Sequence, residues 1–346
     1  MLAPARAFDD PSQNRAALNV SEAPPALIPR DLTRQDHALV QLGQDLLAQG
    51  YRFTTVTPAS HDIVRARAPK RRPTLRDVFG WSLPFTAEGL PGNLLTSLAA
   101  AGALVERIDG LHSAVRFSTL GEQIFVHSAF PTAQADAVFF GPDTYRFARA
   151  LRHSIGTWVP RPMIRILDVG AGSGAGGLHA ASLLRHATTR VTLTDINHGA
   201  LRFSRINAAL NRVPNVEIIE SDLYDGVDGA FDLIIANPPY LVDPLARLYR
   251  HGGGEFGSAL SVRIAELGIE RLAPGGRLLL YTGSAIVDGV DALHETLCER
   301  LTGRAARFAY EEIDPDVFGE ELEHPPYDQV DRIAVVVATI DARSVA

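Results

Sequence analysis

Asn237-Pro238-Pro239-Tyr240 closes an apolar run over residues 231–236, and its residue types suit chemistry at a planar nitrogen. The nitrogen of an amide, or of the exocyclic amine of a base, is a poor nucleophile because its lone pair is delocalised into the π system. Attack on an electrophile therefore needs acceptors that hold the NH2 group and draw it towards tetrahedral geometry. The Asn237 side-chain oxygen is one such acceptor. The Pro238 carbonyl is a second, and the Pro-Pro pair restricts φ so that this carbonyl keeps a fixed direction. Tyr240 adds a flat face on which a planar acceptor can stack. A strand end followed by a Pro turn would read the same way in isolation, so the elements before it must decide.

Residues 163–169 form a short apolar run that reads as a buried parallel strand ending in Asp168-Val169. It enters Gly170-Ala171-Gly172-Ser173-Gly174-Ala175-Gly176-Gly177 and then an Ala/Leu-rich helical stretch. Strand, glycine turn and helix in this order bring backbone amides close to a ligand. Gly172, Gly174 and Gly177 also satisfy G-x-G-x-x-G, which by itself would suggest NAD. Asp195 ends the next strand-like run, where a carboxylate can accept from ribose hydroxyls, and a dinucleotide enzyme would carry an acid there too. A third run leads to Asp222-Leu223, and the fourth ends at Asn237.

Taken together, Asp168-x-Gly170-x-Gly172-x-Gly174, Asp195, Asp222 and Asn237-Pro238-Pro239-Tyr240 resemble the class I S-adenosylmethionine-dependent methyltransferases. Within that superfamily they resemble the NPPY branch, which methylates planar nitrogen. The resemblance implies an α/β fold: a Rossmann-like, seven-stranded methyltransferase sheet beside a smaller N-terminal domain. It implies S-adenosyl-L-methionine as cofactor and assigns site roles. Asp168 would orient the methionine end, and Gly170, Ala171, Gly172, Ser173 and Gly174 would let the backbone approach it. Asp195 and Ile196 would meet the ribose, and Asp222 with Leu223 would frame the adenine. Asn237, Pro238, Pro239 and Tyr240 would hold the acceptor.

Pro142-Asp143-Thr144 before a helical stretch at 146–151 resembles the entry segment of the HemK-type release-factor glutamine methyltransferases, where it helps roof the cofactor; this adds Thr144 to the site. The likeness covers about residues 139–285 and extends to the small-domain rRNA methyltransferases. Gly141 stands where that family usually has Arg, and Arg250 to Gly257 keeps a glycine-rich loop with different wording. The acceptors this leaves are a glutamine amide of a release-factor-like protein, an amino group of an rRNA base on the ribosome, and a small molecule. A non-catalytic nucleic-acid-binding regulator is the alternative of another class, disfavoured because glycine loop and NPPY motif are both intact.

Hydrophobic content of 46% with 21% charged residues describes a folded chain, and 346 residues suffice for two cores. No signal-like pattern or membrane-length apolar run is present, so the cytoplasm is the expected compartment. The single cysteine, Cys298, excludes an intrachain disulfide, and its helical context suggests a buried thiol. His127, His179, His198 and His251 show no metal-ligand spacing, so no metal site is expected.

Strands are expected at 163–169, 190–194, 215–219, 231–236, 276–282, 306–312 and 331–340, with the last two antiparallel and Ala273-Pro274-Gly275-Gly276 as a turn. The connection from Asp314 to Gln329, with Glu320, Glu321 and Glu323, reads as a solvated acidic loop, with an overhang of the acceptor pocket as its alternative. The domain reading is a Pro/Ala-rich arm at 1–30, a substrate-recognition domain at 31–130 and the cofactor-binding domain at 139–346. The middle part shows helical periodicity at 31–49, 60–67, 74–80 and 93–103, then strands around Asp109-Gly110 and Gly121 turns, an arrangement similar to a winged helix. Residues 1–150 carry 15 Lys and Arg against 14 Asp and Glu, and the basic ones crowd at Arg65, Arg67, Lys70, Arg71, Arg72 and Arg76. That run reads as a solvated loop, with an RNA-facing patch as its sharper alternative.

Overall fold

The computed structural model describes residues 32–67, 72–132, 134–158, 161–244, 247–305 and 307–344. The proposed arm at 1–30, and Lys70 and Arg71 of the basic run, lie outside them. The front part contains α1 (Arg34–Ala48), α2 (Pro58–Ala66), α3 (Leu75–Phe79) and α4 (Gly92–Ala100). Two hairpins follow, β1 (Leu104–Arg107) with β2 (Gly110–Ser113), and β3 (Val115–Leu120) with β4 (Gln123–Ser128). The strand expected between the Gly110 and Gly121 turns is interrupted at Ala114, whose N–H turns away to Ala103 O. Arg65 and Arg76 lie in α2 and α3, not in a loop.

The second part alternates strand and helix: α5 (Pro142–Gly156), β5 (Met163–Val169), α6 (Ala175–Leu183), β6 (Thr188–Asp195), α7 (His198–Leu210), β7 (Val216–Glu220) and β8 (Phe231–Ala236). Then come α8 (Ala259–Gly268), β9 (Leu272–Val287), β10 (Val290–Asp291), α9 (Ala292–Leu301), β11 (Arg307–Asp314) and β12 (Arg332–Asp341). The main sheet has the order β11-β12-β9-β8-β5-β6-β7, with β10 on β9. Strands β5 to β9 pair in parallel, while β12 runs antiparallel to both β9 and β11. This is the expected Rossmann-like methyltransferase sheet. Strand β9 is longer than expected because Pro274 and Gly275, at φ +72°, form a bulge inside it instead of a turn before it.

Alternate residues of β5 feed two cores. Ile164 and Ile166 pack with Leu178 of α6 on one face, whereas Leu167 and Val169 pack with Ile264 of α8 and Leu297 of α9 on the other. Cys298 lies one residue beyond the α9 stripe of Leu293, Leu297 and Leu301, so its thiol is exposed and not buried. No described helix is long and apolar enough to cross a membrane.

A third core joins the front part to the sheet. Leu39, Leu42 and Leu46 of α1 pack with Phe203, Ile206 and Leu210 of α7. The contact is also polar. Asn207 Oδ1 accepts from Val126 N, and its Nδ2 donates to Val126 O and Ser173 O. One turn on, Asn211 makes the matching pair with Ile124 N and O. Four helical residues rise about 6 Å and two strand residues about 6.6 Å. Two side-chain amides, one in α7 and one at its C-cap, therefore act as a strand along the free edge of β4. Asn207 is fully buried, so Asn207→Ala should strip partners from three backbone groups and lower stability by about 3–4 kcal/mol, read as the shift in urea midpoint.

Candidate active site

The strand order reverses between β5 and β8, and there the chain opens a cavity of about 340 Å³ at the carboxyl ends of the strands. The turn after β5 places Gly170 and Gly172 at φ +69° and +57°, with open space where a Cβ would stand. The helix behind it is held by Asp168. Its Oδ2 accepts from Gly177 N at 2.7 Å, and a Cβ on Gly176 would lie 2.8 Å from the same oxygen. Glycine at 176 thus lets α6 begin against the carboxylate.

Burial drives the Asp168 carboxyl up to about 7; the Gly177 N–H opposes this and the neighbouring Asp195 charge adds to it. Asp195 is also raised, again chiefly by burial. Its two oxygens accept from Gly172 N at 2.8 Å and Asn197 N at 2.9 Å, so it braces the glycine turn that Asp168 anchors from the other side. Leu223 follows Asp222 at φ +56°, a conformation rare for a bulky side chain.

At the end of β8, neither the Asn237 side chain nor the Pro238 carbonyl is hydrogen-bonded among the described residues. The backbone beside them is fixed from behind. A Cβ on Gly252 would stand 2.5 Å from Pro239 O, and one on Gly257 would strike Tyr240 O. The glycine-rich loop is therefore required by contact with the motif's own backbone. Tyr240 is only 7% exposed. Its hydroxyl donates to Asp143 Oδ2 at 2.8 Å, and Tyr281 OH from β9 donates to Asp143 Oδ1 at 3.0 Å. Arg146 Nη1 is 3.2 Å from that same Oδ1. Burial and the Asp143 charge hold the Tyr240 phenol well above its ordinary range.

The cavity wall brings together Thr144, Asp168, Gly170, Ala171, Gly172, Ser173, Asp195, Ile196, Asp222, Leu223, Asn237, Pro238, Pro239 and Tyr240. Gly174 does not line it; at φ +75° it caps α6. Thr144 Oγ1 accepts from Gly141 N, closing the first turn of α5. Sequence reasoning passed over Asp143, although it stands beside Thr144. It also passed over Phe139 and Tyr249, which line the cavity and stack 5.9 Å apart.

The segment between β11 and β12 exposes Glu320 and Glu323 but also overhangs the cavity, the alternative reading of that loop. Phe318 and Glu320 line the cavity, and Phe318 meets Tyr240 edge-on at 6.0 Å. Glu321 pairs with Arg250, while Tyr327 is buried, its hydroxyl accepting from Val242 N. His251 lines the wall, with Nδ1 accepting from Asp243 N. His127 and His179 are buried against Ser118 and Gln123, and burial lowers both, His179 to about 4.

Residues 157–287 match the family model described as Methyltransferase small domain. Curated relatives include a release factor glutamine methyltransferase of Deinococcus radiodurans, 37% identical over 34% of this chain and 44% of that one. Another of the same name, from Lactococcus lactis, is 27% identical over 46% of this chain and 58% of its own. A ribosomal RNA small subunit methyltransferase C of Enterobacter is 28% identical over 43% and 41%. The chain spans about half the length of the curated relatives it matches. It carries a class I S-adenosylmethionine-dependent methyltransferase domain.

Tyr281→Phe removes one of the two phenolic donors to a buried carboxylate. It should lower stability by about 1.5–3 kcal/mol, measured by urea unfolding, with the loss non-additive when combined with Tyr240→Phe.

Proposed function

We propose that this protein transfers the methyl group of S-adenosylmethionine to a planar NH2 group, with a protein glutamine amide as the acceptor. The observation that carries this reading is the acceptor pair Asn237 Oδ1 and Pro238 O, bonded to no described residue and on the wall of the same cavity as three carboxylates. Asp168, Asp195 and Asp222 lie at the ends of successive strands, and the glycines between them leave room for a ligand. That set of acceptors fits a ligand with an ammonium end, a diol and an aminated ring. Asp168 would hold the cationic end, Asp195 the diol, and Asp222 with Leu223 the ring. When bound, the sulfonium supplies an electrophilic methyl carbon.

The chain's own part is orientation. Asn237 and Pro238 accept both N–H bonds and favour the pyramidal nitrogen over the delocalised one. Asp143 and Tyr281 hold Tyr240, and Tyr240 holds the turn that carries those acceptors. Phe139, Tyr249 and Phe318 exclude water from the acceptor end. The nitrogen's proton leaves to water after transfer, so no strong base is needed. The amide is favoured by the names of the Deinococcus and Lactococcus relatives and by Glu320 at the rim, which repels a polyanion. A base amino group is the second reading, supported by the Enterobacter relative.

Asn237→Ala should lower turnover at least ~100-fold while changing cofactor affinity only a few-fold, read by label transfer and by calorimetry. Wild-type turnover in that variant would sink the assignment. Offering labelled cofactor to release factors, ribosomes and small metabolites in parallel shows which fraction accepts the methyl group.

A pH dependence follows from Asp168. Its carboxyl is raised, so the stability that its proton gives the fold is full below about pH 4 and is lost as pH rises to about 7. A cation beside it favours the charged form, so binding releases a proton below pH 7. Cofactor affinity should rise about tenfold per unit towards pH 7 and then level off, and Asp168→Asn should bind weakly with a flat profile.

A further inference from the structure

The front part gathers two guanidinium groups and an imidazole that methyl transfer does not use. They meet at Phe130. The His61 ring lies 4.1 Å from the Phe130 ring centre, Arg65 Cζ 5.7 Å and Arg116 Cζ 5.9 Å. His61 is 1% exposed and Arg116 2%. Arg116 donates from Nε to Ser128 O at 3.2 Å, and among the described residues it has no other hydrogen bond and no carboxylate partner. The buried Nε of Arg65 and Nδ1 of His61 are likewise without partners. Burial draws the Arg116 guanidinium down to about 10.

Buried charges are ordinarily paired, and a single phenyl face recovers little of what a guanidinium loses on leaving water. Here two guanidinium groups approach one ring, and the charge of each bears on the His61 imidazole. The donor types fit a phosphate. Guanidinium forks match its oxygens. His61 Nε2 donates to Trp81 O at 3.0 Å, which leaves Nδ1 as an acceptor for a P–OH group. The position is telling as well. Pro58, His61 and Arg65 are spaced three and four apart on one face of α2, and Pro58 lines the main cavity. Seven residues of helix span about 10 Å.

We propose that Arg65, Arg116 and His61 form an oxyanion site that takes one phosphate group, about 10 Å along α2 from the cavity. Its source is either free phosphate or a phosphodiester of an RNA strand. Inorganic phosphate titrated into the full chain at constant ionic strength should bind saturably. Arg65→Gln and Arg116→Met should each weaken that binding at least tenfold. Arg65 is only half-buried, so its variant keeps the test decisive should Arg116→Met fail to fold. No saturable binding to the wild type, or undiminished binding to the variants, overturns the site. An oligoribonucleotide that displaces phosphate assigns the site to a phosphodiester, and one that does not assigns it to the free anion. Because the readout is phosphate and not turnover, the result stands whether or not Asn237 proves to be catalytic.

Discussion

The reversal of strand order between β5 and β8 is the constraint on which the rest of the molecule depends. Two parallel neighbours send their chains to opposite faces of the sheet, so nothing covers the gap at their carboxyl ends. Asp168 and Asn237 stand on either side of that gap, nearly seventy residues apart in the chain but on adjacent strands. A site built this way inherits rigid walls. Its polar groups belong to strand ends and to the first turn of a helix, and their directions follow from the sheet register.

Rigidity at the acceptor end has a second source in buried polar contacts. Asp143 accepts from Tyr240 and Tyr281, joining the start of α5 to β9 and to the motif after β8. A carboxylate placed there without those partners would carry a heavy desolvation cost, so the three elements are held together or not at all. The Asn207 and Asn211 amides do the same for the front part, which is locked to α7 and so cannot swing freely over the cavity. Glycines 252 and 257 complete the arrangement by letting one backbone lie directly on another.

Much of the sheet was legible because buried parallel strands are short apolar runs and the residues closing them are polar. Residues 163–169 and 231–236 matched their strands to the residue for that reason. The glycine turn and the NPPY motif were legible because backbone conformation and fixed carbonyl direction are local properties. The acidic connection before β12 was legible only in its exposed charges, since composition does not record the burial of Tyr327 or the packing of Phe318 on Tyr240. Cys298 was misread by one residue of helical phase, which is 100° of rotation.

The sequence by itself determined the order of strands and helices in the sheet, the glycine turn after β5 and the Asn-Pro-Pro-Tyr turn after β8. Each of these depends on residues close in the chain, where φ restriction and hydrophobic period act directly. Only the tertiary structure decided that Asp143 secures Tyr240, that two asparagines, one in α7 and one at its C-cap, finish the edge of β4, and that Arg65, Arg116 and His61 gather at Phe130. Those groups come from segments up to about a hundred residues apart. Their meeting is set by how the cores pack, and no local pattern of residues carries that information.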